Sequence, residues 1–264
     1  MGLVAAQNTV QIKPADVLGQ NAGALPPIEE VRARVDWTLM PGDHMLSAQD
    51  LNHYSAVGES ALKVITSCLS LAGAEHLGTI LDFGCGSGRV LRWLRAAYPD
   101  ALIHASDLRE DSLQFCARQF GATTWLSSAD IAAIDAPGRY DLIWSGSLAT
   151  HLSEEKTRAT LRKVCSWLTV GGVGIVTTHG RKVLKNMREH RIKYIPHERH
   201  EDVLYPLSER GYGYLQFQGR DVGFSVNTLE WLVREALVLD ARIICISEYA
   251  WDRHQDVLAI QRVQ

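Results

Sequence analysis

Short apolar runs alternate with helix-like periodicity along the second part of the chain. Runs typical of buried parallel strands occupy residues 79–84, 101–107, 122–128, 140–146 and 171–179. The segments between them, 89–99, 109–121 and 154–172, carry apolar residues at helical spacing and contain glycine or proline stops. This alternation predicts successive βα units that share one mainly parallel sheet.

The C-terminal part continues the pattern with a helix and two strands. Residues 227–239 have helical spacing, with Asn227 as the expected N-cap and Glu230 three residues later. The runs at 242–251 and 255–263 are separated by a short connection, which predicts an antiparallel pair at the sheet edge. We therefore predict an α/β, Rossmann-like fold: a seven-stranded, mostly parallel sheet with helices on both faces and an antiparallel last strand.

Two regions depart from this alternation. Residues 1–27 show little periodicity and are expected to form an N-terminal arm, whereas 28–77 have helical spacing and precede a core of 78–264. Within the core, residues 181–225 lack a single period but hold five aromatic residues from Tyr194 to Phe217. We expect this insertion to fold as a substrate-side cap rather than a disordered loop.

Composition narrows the class of protein further. Hydrophobic residues make up 46% of the 264-residue chain, and 27 basic residues face 30 acidic ones. This balance predicts a globular protein without a broad phosphate-binding face, so nucleic acid is not an expected partner. The five cysteines are scattered, no basic leader precedes an apolar stretch, and no run approaches the length of a membrane span. We expect a cytoplasmic protein without a membrane span; the oligomeric state is left open.

The strongest chemical signal is the run ILDFGCGSG at residues 80–88. Alternate glycines after a strand let the backbone turn sharply and bring its N–H groups against a ligand. The dinucleotide fingerprint G-x-G-x-x-G does not fit, because the third glycine comes one residue early and Arg89 stands where that fingerprint needs a small residue. Nicotinamide or flavin binding is therefore disfavoured.

The run resembles the first motif of class I S-adenosylmethionine-dependent methyltransferases, and the resemblance extends from about residue 78 to 180. It implies S-adenosyl-L-methionine as cofactor, with Asp107 on the ribose hydroxyls and Asp130 on the adenine amino group. The cofactor-binding residues that it implies are Asp82, Gly84, Gly86, Gly88, Asp107, Leu108, Asp130, Ile131 and Ser145. Each aspartate alone is equally explained as a cap of a turn or helix, but their joint position at successive strand ends favours a donor site.

Histidines supply the candidate catalytic residues. His151 follows the fourth strand and His179 the fifth, and we rank both ahead of His254 as a general base, although each alone is also explained as a structural hydrogen-bonding residue. A second group, His190, His197 and His200, lacks the H-E-x-x-H pattern and is interpreted as a solvated polar surface. No metal site is expected.

These features predict a methyltransferase that acts on a hydroxyl group of a small molecule or carbohydrate. The substrate hint comes from the resemblance, because the segment Thr150-His151-Leu152 is similar to one found in bacterial small-molecule and glycan methyltransferases. A non-catalytic sensor or scaffold that retains the donor pocket is the alternative from another class. Met40, His44, His53 and Tyr54 are further candidate contacts, or ordinary loop and helix residues.

Overall fold

The computed structural model describes residues 27–46, 50–74 and 77–264. The arm expected at residues 1–27 lies outside these ranges except for its last residue. Eight helices are described: α1 Ile28–Arg34, α2 Leu51–Ala72, α3 Leu91–Ala97, α4 Glu110–Phe120, α5 Glu154–Trp167, α6 Arg181–Arg188, α7 Glu201–Arg210 and α8 Leu229–Leu237. None of the helices in these ranges combines the length and apolar composition that a membrane crossing requires.

Nine strands are described: β1 Thr79–Phe83, β2 Leu102–Asp107, β3 Thr123–Leu126, β4 Tyr140–Ser145, β5 Leu168–Thr178, β6 Tyr212–Gln216, β7 Gly223–Asn227, β8 Ala241–Trp251 and β9 Gln255–Arg262. Seven of them form one sheet in the order β3-β2-β1-β4-β5-β9-β8. Strands β1 to β5 pair in parallel, and β9 is antiparallel to both β5 and β8. The predicted fold class is confirmed, including the antiparallel last strand.

Alternate strand residues pack against helices on opposite faces of the sheet. On β1, Ile80 points into the apolar layer formed with α2, α3 and α4, while Leu81 and Phe83 point into the layer formed with α5 and α8. All three side chains are almost fully buried. Burial on both faces explains why these strands appear as continuous apolar runs. Their parallel pairing places the carboxyl ends of β1, β2, β4 and β5 at one edge of the sheet.

Helix ends follow local chemistry. The Asp50 side chain accepts a hydrogen bond from the His53 backbone N–H at the start of α2, and Gly73 ends that helix with a φ of 66°. The sequence prediction for α8 was wrong by one residue. Thr228, rather than Asn227, is the N-cap and accepts from Trp231 N–H, because Asn227 is the last, buried residue of β7.

The cap, residues 181–225, contains α6, α7, β6 and most of β7. Strands β6 and β7 form a separate two-stranded antiparallel sheet. The cap also has its own apolar cluster, which joins side chains of α6, α7 and the hairpin: Val183, Met187, Ile192, Ile195, Val203, Leu207, Leu215, Phe224 and Val226. The segment is thus ordered by its own small core, and β7 lies beside the turn that follows β4.

Candidate functional site

The glycine loop after β1 is held against the end of β2. Gly84, Gly86 and Gly88 have φ values of 86°, 52° and 81°, a region that side chains disfavour. Gly84 N–H donates to Ser106 O at 2.8 Å, and Gly86 N–H donates to Asp107 Oδ2 at 2.9 Å. A Cβ added at Gly88 would lie 2.5 Å from the Phe120 ring. Both backbone conformation and packing therefore require glycine in this loop.

Asp107 is oriented by two backbone donors at the end of β2. Besides Gly86 N–H, which reaches Oδ2, Arg109 N–H donates to Oδ1 at 3.0 Å. Each oxygen of an ionised carboxylate has a second acceptor position, so the group can still receive two hydrogen bonds from a ligand. Asp107 lines a first cavity together with Gly84, Leu108 and Ile131.

A second cavity adjoins the first on the other side of the glycine loop. The two cavities share Gly84, Asp107 and Leu148. The second cavity has a volume of about 350 Å³ and is further lined by Met45, Asp82, Cys85, Arg89, Val90, Trp144, Gly146, Ser147, His151 and Trp251. We call these two adjoining cavities the trough; the residues they share lie at or just after the carboxyl ends of β1, β2 and β4.

Two charged side chains of this trough are poorly compensated. Asp82 is buried, and its Oδ2 has no hydrogen-bond partner among the described residues. Burial, followed by the nearby charge of Asp107, raises the pKa of Asp82 to about 8. The Arg89 Nε is likewise buried without a partner in the described ranges, and its guanidinium faces the rings of Tyr54 and Trp251. Burial lowers the pKa of Arg89. A carboxyl with a raised pKa and a guanidinium whose Nε has no partner in the described residues, both on one cavity wall, favour a binding site at this position.

The raised pKa of Asp82 makes stability depend on pH. Above about pH 4 an unfolded chain releases this proton while the folded protein retains it until about pH 8, so the folded state binds more protons within that window. We expect the free energy of unfolding of the wild type, relative to Asp82→Asn, to fall as the pH rises from about 4 to 8. Urea denaturation of both proteins at several pH values measures this difference. A constant difference would contradict it.

The two predicted catalytic histidines, His151 and His179, both follow strands at the carboxyl edge of the sheet, but their surroundings differ. His151 is exposed and lines the second cavity, and its Nδ1 lies 2.9 Å from Gly223 O. His179 is buried, lines neither cavity, and its Nδ1 lies 3.0 Å from Ser225 O. Burial, assisted by the nearby His254, lowers the pKa of His179 to about 3. His179 is therefore neutral near neutral pH, and its ring packs 5.3 Å from that of His254.

A strained turn separates β4 from His151. Ser147 has a φ of 59° and lines the second cavity. Its backbone N–H donates to Thr177 Oγ1 at 2.8 Å, Thr177 Oγ1 donates to Gln255 Oε1 at 2.6 Å, and Gln255 Nε2 donates to Ser147 Oγ at 2.5 Å. This closed ring of hydrogen bonds offsets the strain and fixes the serine hydroxyl at the cavity.

Some sequence-predicted residues lie apart from the trough. Asp130 is exposed and lines neither cavity, although its neighbour Ile131 lines the first. Ser145 is fully buried at the end of β4 and lines neither cavity. Met40, His44, His53 and Tyr54 also line neither, whereas Met45 does.

The second group of histidines forms a stack in the cap. The rings of His190 and His197 lie 4.5 Å apart at an angle of 26°, and His200 is buried beside them. Across the described ranges, no group of three or more histidine, cysteine or acidic side chains has the geometry to hold a metal ion.

Sequence reasoning missed several residues of the second cavity: Met45, Arg89, Ser147 and Trp251. Arg89 carried a signal, since it directly follows the glycine loop, but it was used only to exclude a dinucleotide fingerprint. Met45 and Trp251 come from segments far apart in sequence. No local pattern points to either.

The fold agrees with comparisons to known proteins. Residues 80–172 match the model of a methyltransferase domain family, and this span contains the glycine loop, Asp107 and His151. The match and the strand order agree with the class I methyltransferase fold that the sequence predicts.

Curated relatives are malonyl-[acyl-carrier protein] O-methyltransferases. The protein from Acetivibrio thermocellus is 25% identical over 142 residues, covering 53% of this chain and 49% of that protein. The one from Anoxybacillus flavithermus is 29% identical over 132 residues, covering 49% and 45%. The chain thus spans about half the length of the curated relatives it matches.

Solved structures share the fold at low sequence identity. Streptomyces venezuelae DesVI has a TM-score of 0.55 at 12% identity, and the match covers 85% of this chain and 100% of that one. An S-adenosylmethionine-dependent methyltransferase from Clostridium acetobutylicum has a TM-score of 0.51 at 14% identity, covering 84% and 96%. These similarities support the class I architecture.

Proposed function

We propose that the protein transfers the methyl group of S-adenosylmethionine to a hydroxyl group of a small molecule or carbohydrate, with His151 as the general base. The observation that carries the proposal is the position of His151 on the wall of the second cavity, with Nδ1 turned away to Gly223 O. A carbonyl only accepts, so Nδ1 of the neutral ring carries the proton and Nε2 keeps its lone pair. That lone pair is available to take a proton from a hydroxyl.

The chain's own residues fit the donor. Asp107 offers acceptor capacity for a vicinal diol beside the glycine loop. Arg89 offers a half-buried guanidinium whose Nε has no partner among the described residues, which suits the carboxylate of the donor's amino-acid end. The buried carboxyl of Asp82 lies in the same cavity. When bound, S-adenosylmethionine supplies an activated, electrophilic methyl group.

The acceptor side combines aromatic and polar walls. Trp144 and Trp251 pack edge to face with ring centroids 5.1 Å apart, and both line the second cavity with Ser147 and His151. Aromatic surface beside a hydroxyl donor and an imidazole suits a sugar ring or an aromatic alcohol. Holding the acceptor oxygen in line with the methyl carbon and the sulfonium sulfur of the donor would supply much of the rate acceleration.

Methyl transfer from labelled S-adenosylmethionine to an acceptor panel tests the proposal. The panel holds monosaccharides, aromatic alcohols, amines and carboxylic acids, with a malonyl thioester included because of the activity named for the relatives. We expect labelled ethers from the hydroxyl compounds. Transfer only to carboxyl or amino groups would contradict the hydroxyl acceptor. Donor binding in calorimetry without transfer to any member would favour the sensor alternative.

Asp107→Ala tests the donor site separately. Loss of a hydrogen-bonded buried partner costs about 1–3 kcal/mol, so affinity for S-adenosylhomocysteine should fall by roughly 5- to 150-fold. Isothermal titration calorimetry measures the change. Asp111→Ala is the matched control, because this neighbouring carboxylate is exposed and pairs with Arg109 outside the cavities. Equal affinities of wild type and Asp107→Ala would remove Asp107 from the site.

A further inference from the structure

We propose that strand β7 is a positioning element for the base, and that Ser225 is the side chain through which it acts. The inference rests on the proposed role of His151 and gives the cap a second role besides the substrate-side one expected from the sequence. It follows from how the free edge of the β6-β7 sheet meets the turn after β4.

The turn that carries His151 is tied to the cap at three successive points. Ser225 Oγ donates to Ala149 O at 2.8 Å. His151 Nδ1 bonds Gly223 O at 2.9 Å. The Tyr212 hydroxyl of β6 donates to Leu152 O at 3.0 Å. These bonds hold the backbone on both sides of His151 as well as the ring, so an exposed side chain acquires one orientation.

Both histidines at this edge bond carbonyls of the same strand. Gly223 O accepts from His151 Nδ1, and Ser225 O accepts from His179 Nδ1. Residues two apart on a strand direct their carbonyls to the same side, here the side opposite β6. An edge strand normally leaves such carbonyls to solvent. Here they fix the tautomer of two imidazoles and leave both Nε2 atoms unprotonated.

The hydroxyl of Ser225 makes its hydrogen bond to the His151 turn in a buried environment. It is 3% exposed, and its partner Ala149 is 1% exposed, so water is poorly placed to replace the bond between them. Without the hydroxyl, Ala149 O would lose its only side-chain donor in the described residues and the turn would shift.

Nitrogen NMR of the full chain labelled with ¹⁵N-histidine tests the inference without any acceptor. In the wild type, we expect His151 to show a protonated Nδ1 and an unprotonated Nε2. Ser225→Ala should give a mixture of the two tautomers for His151, while Ser225→Thr, which keeps the hydroxyl, should restore the wild-type signals. Ser208→Ala is the control, because its exposed hydroxyl bonds only within α7.

Kinetics supply the second readout. A misplaced base lowers kcat by up to about 100-fold, so Ser225→Ala should lose kcat while its affinity for S-adenosylhomocysteine stays unchanged. If Ser225→Ala does not fold, Tyr212→Phe replaces it as the test variant. This substitution removes the bond to Leu152 O and should also lower kcat and mix the His151 tautomers. A wild-type tautomer in both variants would overturn the inference. Absence of methyl transfer in the wild type would contradict the proposed function. The NMR measurement would still decide whether Ser225 fixes the tautomer of His151, because it needs no acceptor.

Discussion

His151→Gln should lower kcat by about 10²- to 10⁴-fold, the range that a positioned general base contributes. Glutamine keeps a polar side chain of similar length but does not take up a proton near neutral pH. Affinity for S-adenosylhomocysteine should remain within about twofold, because His151 lies outside the glycine loop and is proposed to contact the acceptor rather than the donor. Steady-state kinetics with the acceptor found in the panel, together with calorimetry, measures both quantities.

The pH profile separates a base from a structural histidine. The acidic limb of kcat in the wild type should be absent in His151→Gln. His53→Gln serves as the control, since this exposed residue at the start of α2 contacts only Asp252 at 3.7 Å among charged groups. An unchanged kcat in His151→Gln would exclude His151 as the base and direct attention to Ser147, the other polar residue of that turn on the cavity wall.

Arg89→Met should weaken S-adenosylhomocysteine binding by about 10- to 150-fold, which corresponds to about 1.5–3 kcal/mol for a hydrogen bond to a charged group. The guanidinium is half-buried, its buried Nε has no partner in the described residues, and the side chain lines the cavity that Asp82 also lines. Methionine preserves most of the length and the apolar packing against Tyr54 and Trp251. Stability should not fall, because an uncompensated buried charge is removed.

A ligand that lacks the amino-acid part of S-adenosylhomocysteine tests whether Arg89 contacts the carboxylate. Affinity for 5′-methylthioadenosine, which lacks the carboxylate, should change little in Arg89→Met. Arg118→Met, on the exposed side of α4, should leave both affinities unchanged. Equal loss of affinity for both ligands would show that Arg89 acts on the loop structure rather than on the carboxylate.

Much of the fold was readable from the sequence because its determinants are local. Strands β1 and β4 are buried on both faces and therefore appear as continuous apolar runs. The glycine loop was readable for the same reason, since its left-handed conformations require glycine at Gly84, Gly86 and Gly88. The N-cap of α8 was missed because Asn227 and Thr228 are both good capping residues, and only the end of β7 decides between them.

The cap and the second cavity depend on contacts that no local pattern encodes. The helices α6 and α7 bury few residues each and are ordered mainly by a small shared core, so their periodicity is weak. Met45, Arg89 and Trp251 meet in the second cavity although they are far apart in the chain. The family resemblance and its position after the third strand placed Asp130 at the adenine amino group, and in the structure its side chain is exposed and lines neither cavity.

Strand β9 inserts between β5 and β8, and its first residue, Gln255, completes the ring that holds Ser147. During synthesis, the glycine loop and Asp107 leave the ribosome more than a hundred residues before Gln255 does. A nascent chain can therefore contain the glycine loop and Asp107 early, but the turn that carries Ser147 lacks its Gln255 contacts until the final strand has joined the sheet.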